Sequence, residues 1–89
     1  MSEINEDPAI RTQRYLRTIQ STLENRKFKN TDHKVPSRDV QKVLDTIHRY
    51  IKDAHYYLEH GKATTALASV AYAEGLLDAL KFLELSETT

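Results

Sequence analysis

At 89 residues the chain has room for one small domain, which hides only about 60 to 65% of the surface its unfolded form exposes, and this excludes a catalytic pocket enclosed between two domains. Thirteen basic and thirteen acidic side chains cancel, so no global field draws in nucleic acid or anionic lipid. The absence of cysteine rules out disulfides, thiolate zinc sites and thiol nucleophiles, and makes a reducing cytoplasm the expected location.

The opening residues, 1–7, read as a disordered tail without the basic-then-apolar order of a secretory signal, and no apolar run approaches the roughly 20 residues of a membrane span. No contact with a membrane is expected. A first helix is predicted over 8–25. Asp7 offers an acceptor to cap free amides, and Pro8 has its φ already set for a first turn. Its apolar stripe is narrow, gathering Thr12, Tyr15, Leu16, Ile19 and Leu23, with Arg11, Arg14 and Arg17 elsewhere on the circumference. Packing therefore matters more than propensity in holding it.

Periodicity fails between Asn25 and Pro36, where polar residues surround the single aromatic Phe28. A connection of this length exceeds the usual 2 to 8 residues between bundle helices, and is expected to be more mobile than a tight turn, with Phe28 pinning it to the bundle.

A second helix is predicted over 38–60, capped by Ser37 and favoured by Asp39 in its first turn. Val40, Val43, Leu44, Ile47, Tyr50, Ile51, Ala54, Tyr57 and Leu58 recur at intervals of three and four, a spacing that no strand tolerates. Gly61 ends it in the left-handed conformation and turns the chain directly into a third helix, predicted over 62–84 and antiparallel to the second.

The third helix departs from simple amphipathicity. Only Glu74, Asp78 and Lys81 form a charged strip, and apolar or small residues fill roughly 240° of the circumference. One side is bulky, with Val70, Ala73, Leu76, Leu77 and Leu80; the other is small, with Ala68, Ala71, Gly75 and Ala79 around Tyr72. A helix apolar on two sides needs covering on two sides. The small side is covered either by the first helix within the monomer or by a partner, and both arrangements remain open.

The expected architecture is all-α, an up-down-up three-helix bundle over 8–85 without a sheet, followed by a disordered tail at 86–89. Its expected core comprises Leu16, Ile19, Leu23, Val43, Leu44, Ile47, Ile51, Ala54, Leu58, Val70, Ala73, Leu77 and Leu80.

Chemistry-bearing patterns are sparse. His48 and His55 stand about 10.5 Å apart along a helix, too far to share one ion at metal–nitrogen distances near 2 Å, and no third ligand joins His55 and Glu59. Both imidazoles are expected at the edge of the apolar stripe. Arg49 and His55 have the R-x5-H spacing of small helical ribonucleases, but on one continuous helix they point about 120° apart. Glu74 and Asp78, one turn apart, pair two carboxylates without a nucleophile or cleft-forming loop nearby, so an ion pair with Lys81 is expected rather than catalysis. No catalytic residue, cofactor or metal is implied. Arg26, Lys27, Lys29, Lys34 and Arg38 make a basic connection able to contact phosphates, though Phe28 alone supplies aromatic interleaving.

Residues 55–83, and above all the run Tyr72-Ala73-Glu74-Gly75-Leu76-Leu77-Asp78-Ala79, resemble the C-terminal hairpin of an archaeal family of small helical proteins, the domain-of-unknown-function family numbered 357. Tyr72, Glu74, Gly75 and Asp78 match its signature. The resemblance implies a left-handed three-helix bundle like immunoglobulin- and albumin-binding domains, and an archaeal source. It carries no activity and hence no catalytic role, although in some proteins related domains are attached to nucleotidyltransferase-like domains.

Two functions follow from the sequence. The first is a non-enzymatic interaction module that offers Ala68, Ala71, Tyr72, Gly75 and Ala79 to a protein partner or to a weakly associated second copy. The alternative is an accessory domain of a nucleotide- or RNA-handling system, with phosphates held by the basic 26–38 region; nucleic acid is the less favoured partner.

Overall fold

The structure, a computed structural model, describes residues 7–28, 35–83 and 86–88, with the backbone alone described at 27, 28 and 86–88. Three helices carry the fold: α1 (Pro8–Asn25), α2 (Ser37–Glu59) and α3 (Ala63–Phe82). Their limits fall within two residues of those expected.

Local chemistry accounts for most of these limits. Asp7 accepts a hydrogen bond from the Ala9 amide at 2.9 Å, and Pro8 occupies the first turn of α1. Gly61, at φ 73°, adopts the left-handed conformation that lets α2 end and α3 begin within three residues. Ser37 is not the cap expected of it. It is the first helical residue of α2, and Pro36 takes the cap position without a side-chain hydrogen bond. Proline's φ suits the entry to a helix, and the Pro36 carbonyl receives the Asp39 and Val40 amides at 2.9 and 3.2 Å.

The three helices form an all-α bundle in which α3 packs along both α2 and α1, whereas α1 and α2 scarcely meet. The core runs through Leu16 and Ile19 of α1, Val40, Ile47, Ile51 and Ala54 of α2, and Ala66, Val70, Ala73, Leu77 and Leu80 of α3. Val40 and Ala66 are core residues additional to those expected. Leu23, Val43, Leu44 and Leu58 are partly buried against the same core. Thr12, wholly buried on α1, keeps its hydroxyl satisfied by donating to the Pro8 carbonyl at 2.7 Å. This lets a polar residue occupy a packed position without an orphan group.

The absence of a sheet is not complete. Arg26–Phe28 (β1) and Ser86–Thr88 (β2) pair as a two-stranded antiparallel ribbon, with Lys27 opposite Glu87. Residues 86–88, expected within a C-terminal tail, thus return to the start of the long connection. Residues 1–6 and the remainder of that connection, 29–34, lie outside the described residues, as does the side chain of Phe28, so the expectations placed on them do too.

Candidate functional site

The unusual composition of α3 is explained by its two neighbours, but its arrangement is not the one its charges suggest. Residues 66, 70, 73, 77 and 80 are buried. Glu74, Asp78 and Lys81 are half-buried at the edge of that seam, Glu74 facing α1, while Thr64, Ala68, Ala71, Tyr72, Gly75, Ala79 and Phe82 are exposed. Ala68, Ala71 and Ala79 are thus more exposed than Glu74 and Asp78. The possibility that the first helix fills the small-residue side is overturned: a Cβ added at Gly75 meets nothing within 4 Å.

The exposed face of α3 spans about 120° of the helix and roughly 30 Å of its length, and none of its exposed residues from Thr64 to Leu83 is charged. Tyr72 is 53% exposed, Phe82 79% and Leu83 61%. Tyr72 is held from one side by the edge of Tyr50 on α2, with ring centroids 4.7 Å apart, and Arg49 lies over the Tyr50 ring at 5.9 Å. These contacts orient the tyrosine while leaving its outer surface available. Of the five residues expected for an interaction surface, Ala68, Ala71, Tyr72, Gly75 and Ala79, all are exposed on this one face.

On the opposite flank α1 and α3 leave an open groove of about 490 Å³, lined by Arg11, Arg14, Tyr15 and Thr18 of α1 and by Glu74 of α3. At 100° per residue the four α1 positions share an arc of about 100° on the border of the apolar stripe. The Thr18 hydroxyl donates to the Arg14 carbonyl at 3.1 Å, fixing its oxygen on this wall. Glu74 titrates above the usual glutamate range, chiefly because burial penalises its charged form and secondly because Asp78 repels it; Lys81 offsets part of this. Lys81 in turn pairs with Asp78 at 3.4 Å, as the sequence suggested. Sequence reasoning placed Arg11 and Arg14 apart from Tyr15 and missed the groove. Its only available signal was the position of all four α1 residues along one border of the stripe.

The remaining candidates are dispersed. Among the described residues no three metal-ligating side chains converge. His48 and His55 are both exposed, and His48 lines a shallow groove with Leu23 and Ile51 at the edge of the apolar stripe, as expected. His60 stacks on Tyr56, at 4.1 Å between centroids, with its Nδ1 2.8 Å from the Tyr56 carbonyl, and so finishes α2. Arg26 is half-buried at the start of β1 and Arg38 is exposed in the first turn of α2; Lys29, Lys34 and the side chain of Lys27 lie outside the described residues.

The profile of the family described as "Protein of unknown function (DUF357)" matches residues 14–86. The chain belongs to that family. The match reaches well beyond the α2–α3 hairpin that first suggested it and includes most of α1, so the DUF357 unit is the three-helix bundle itself. No curated protein and no solved structure matches the chain. Among the described residues no helix of this DUF357 member is long and apolar enough to cross a membrane.

Proposed function

We propose that the protein is a non-enzymatic interaction module whose docking surface is the exposed face of α3, and that the occupant is an apolar helix of a partner protein. The observation that carries this reading is the inversion along α3, which exposes a charge-free face while half-burying its charged strip. Ala71, Gly75 and Ala79, one turn apart, allow a second backbone to approach closely, and Tyr72 supplies a broad anchoring ring. A strip roughly 30 Å by 10 Å buries about 600 Å² across both partners, below the 1,200–2,000 Å² typical of stable interfaces, so the pairing is a weak, transient one unless the partner also engages α2.

The test places a photoactivatable side chain at position 68 or 79 in the native cell, with position 17 on α1 as control, and re-examines any captured protein as a purified component. A partner captured only from 68 and 79, bound with little salt dependence and released by Gly75→Leu, supports the reading. Binding that collapses with ionic strength supports phosphate contacts through the basic region instead. A parent chain that self-associates at micromolar concentration replaces the partner with a second copy.

A further inference from the structure

The end of α1 is held differently from its beginning. The buried residues of this helix, Thr12, Leu16 and Ile19, all precede position 20, and between Gln20 and Asn25 Thr22 and Leu23 are only half-buried. The Thr22 hydroxyl donates to the Thr18 carbonyl at 3.1 Å and the Asn25 amide group to the Ser21 hydroxyl at 3.3 Å, bonds that join turns of α1 to each other. Toward α2 lies the shallow groove of about 200 Å³, with Gln20, Leu23 and Glu24 on one side and His48 and Ile51 on the other. Its floor is apolar: Ile51 is a core residue still 8% exposed, and Leu23 packs against the same core. β1 follows α1 with no intervening turn. Arg26 closes the helix, its amide donating to the Thr22 carbonyl, and with extended backbone at φ −130° and ψ 144° it also opens the strand. Its partner in the ribbon is Thr88, so pairing with β2 fixes the chain at the residue that ends α1.

We infer that the β1–β2 ribbon is a clasp: closed, it keeps residues 20–25 of α1 seated, and open, it lets them swing and bares the apolar floor between α1 and α2. A ribbon of three residue pairs is marginal in water, so the clasp opens at far smaller cost than the bundle unfolds. The rest of α1 stays in place when it does, because Thr12, Leu16 and Ile19 remain buried in the bundle. What the clasp gates is a small apolar surface, Leu23 and Ile51, rimmed by Gln20, Glu24 and His48.

The experiment opens and closes the clasp by substitution in the full 89-residue chain. Adjacent amides of a strand point to opposite edges, so Glu87→Pro together with Thr88→Pro removes a ladder donor whichever edge faces β1. Lys27→Cys with Glu87→Cys closes it. These positions are directly opposed, antiparallel partners lie about 4.5 to 5.5 Å apart and within disulfide reach, and the chain has no cysteine of its own. In the proline variant a soluble paramagnetic agent is expected to relax the Leu23 and Ile51 methyls at least about twofold faster than in the parent, with the buried Val70 and Leu77 methyls unchanged. In the reduced cysteine variant amides 20–25 exchange ahead of those of α3, and the disulfide is expected to slow them about tenfold. Leu23 and Ile51 methyls that relax as in the parent when the prolines are present overturn the inference. Should the prolines unfold the whole chain, the cysteine pair decides: equal exchange at 20–25 in the oxidised and reduced forms, or thiols that do not join under oxidant, overturns it. None of these outcomes bears on the α3 docking face, which the clasp does not include.

Discussion

α2 and α3 lie against each other and are nearly equal in length, yet they relate polarity to exposure in opposite ways. In α2 the rule is conventional: Val40, Ile47, Ile51 and Ala54 are buried, and Arg38, Lys42, Asp45, Arg49, Lys52 and Glu59 face water. In α3 the charged residues Glu74, Asp78 and Lys81 are half-buried, and Ala68, Ala71, Tyr72, Gly75, Ala79 and Phe82 face water. A helix with one principal neighbour needs one apolar stripe, whereas α3 serves two neighbours and carries a third, uncharged side that folding does not use. The unused side is what makes α3 the informative helix.

The comparison predicts that position on the helix, not polarity, decides stability. Ile47→Ala in α2 and Leu77→Ala in α3 each empty a site almost wholly closed to water, and each is expected to cost about 2 to 5 kcal/mol in urea or thermal unfolding. Ala71→Lys and Ala79→Lys, also in α3, place a charge on an already exposed face and are expected to stay within about 0.5 kcal/mol of the parent. An unfolded Ala79→Lys variant breaks the comparison, since it means that this face is covered in the monomer.

A second test separates α1 from both. Neither α2 nor α3 has a side-chain cap, whereas α1 has Asp7 on the Ala9 amide. Asp7→Ala should cost about 1 kcal/mol and speed amide exchange in the first turn of α1. Equal exchange before and after the substitution shows that the packing of Thr12 and Leu16 holds that turn without its cap.

Much of the bundle was legible because its signals are local. Asp7-Pro8 and Gly61 mark helix ends through their own backbone chemistry, and the stripe of α2 needs only its own periodicity. The side of α3 that α1 takes depends on a choice between two surfaces, and no local signal decides it. Thr12 hides part of the answer: a threonine on a narrow stripe reads as marginal, but its hydroxyl is satisfied within α1 and the residue packs as if apolar. The ribbon of β1 and β2 was invisible for a related reason. Three-residue strands show no usable alternation, and their pairing joins residues about sixty positions apart. The groove has the same origin, since Arg14 and Glu74 share it only through the packing of α1 on α3.

The exposed face of α3 also predicts a gain. Gly75 has ordinary helical backbone, and an added Cβ there meets no atom within 4 Å. Gly75→Ala should therefore stabilise the isolated chain by about 0.5 to 1 kcal/mol, mainly by reducing the freedom of the unfolded state. Gly75→Leu should likewise unfold no more easily than the parent. Destabilisation by either sharpens the comparison in the other direction, by placing a close neighbour over the middle of α3.

The smallest effect concerns the half-buried strip. Glu74 has a folded-state pKa above the ordinary value of 4.5, so between those two pH values the folded chain holds more of this proton than the unfolded chain. Stability from this group is therefore fully present below the ordinary value and is lost as pH rises through the raised one. Glu74→Gln removes the titration. Its unfolding free energy should gain on that of the parent as pH climbs from about 4 and level off once Glu74 is ionised in both states. Taking the difference between the two proteins cancels the common titration of other carboxylates, Asp78 excepted, because loss of the Glu74 charge also relieves Asp78 of a like neighbour. A Gln variant that loses ground to the parent with rising pH means that ionised Glu74 is stabilised in the folded chain, and that the arginines of α1 reach across the groove to it.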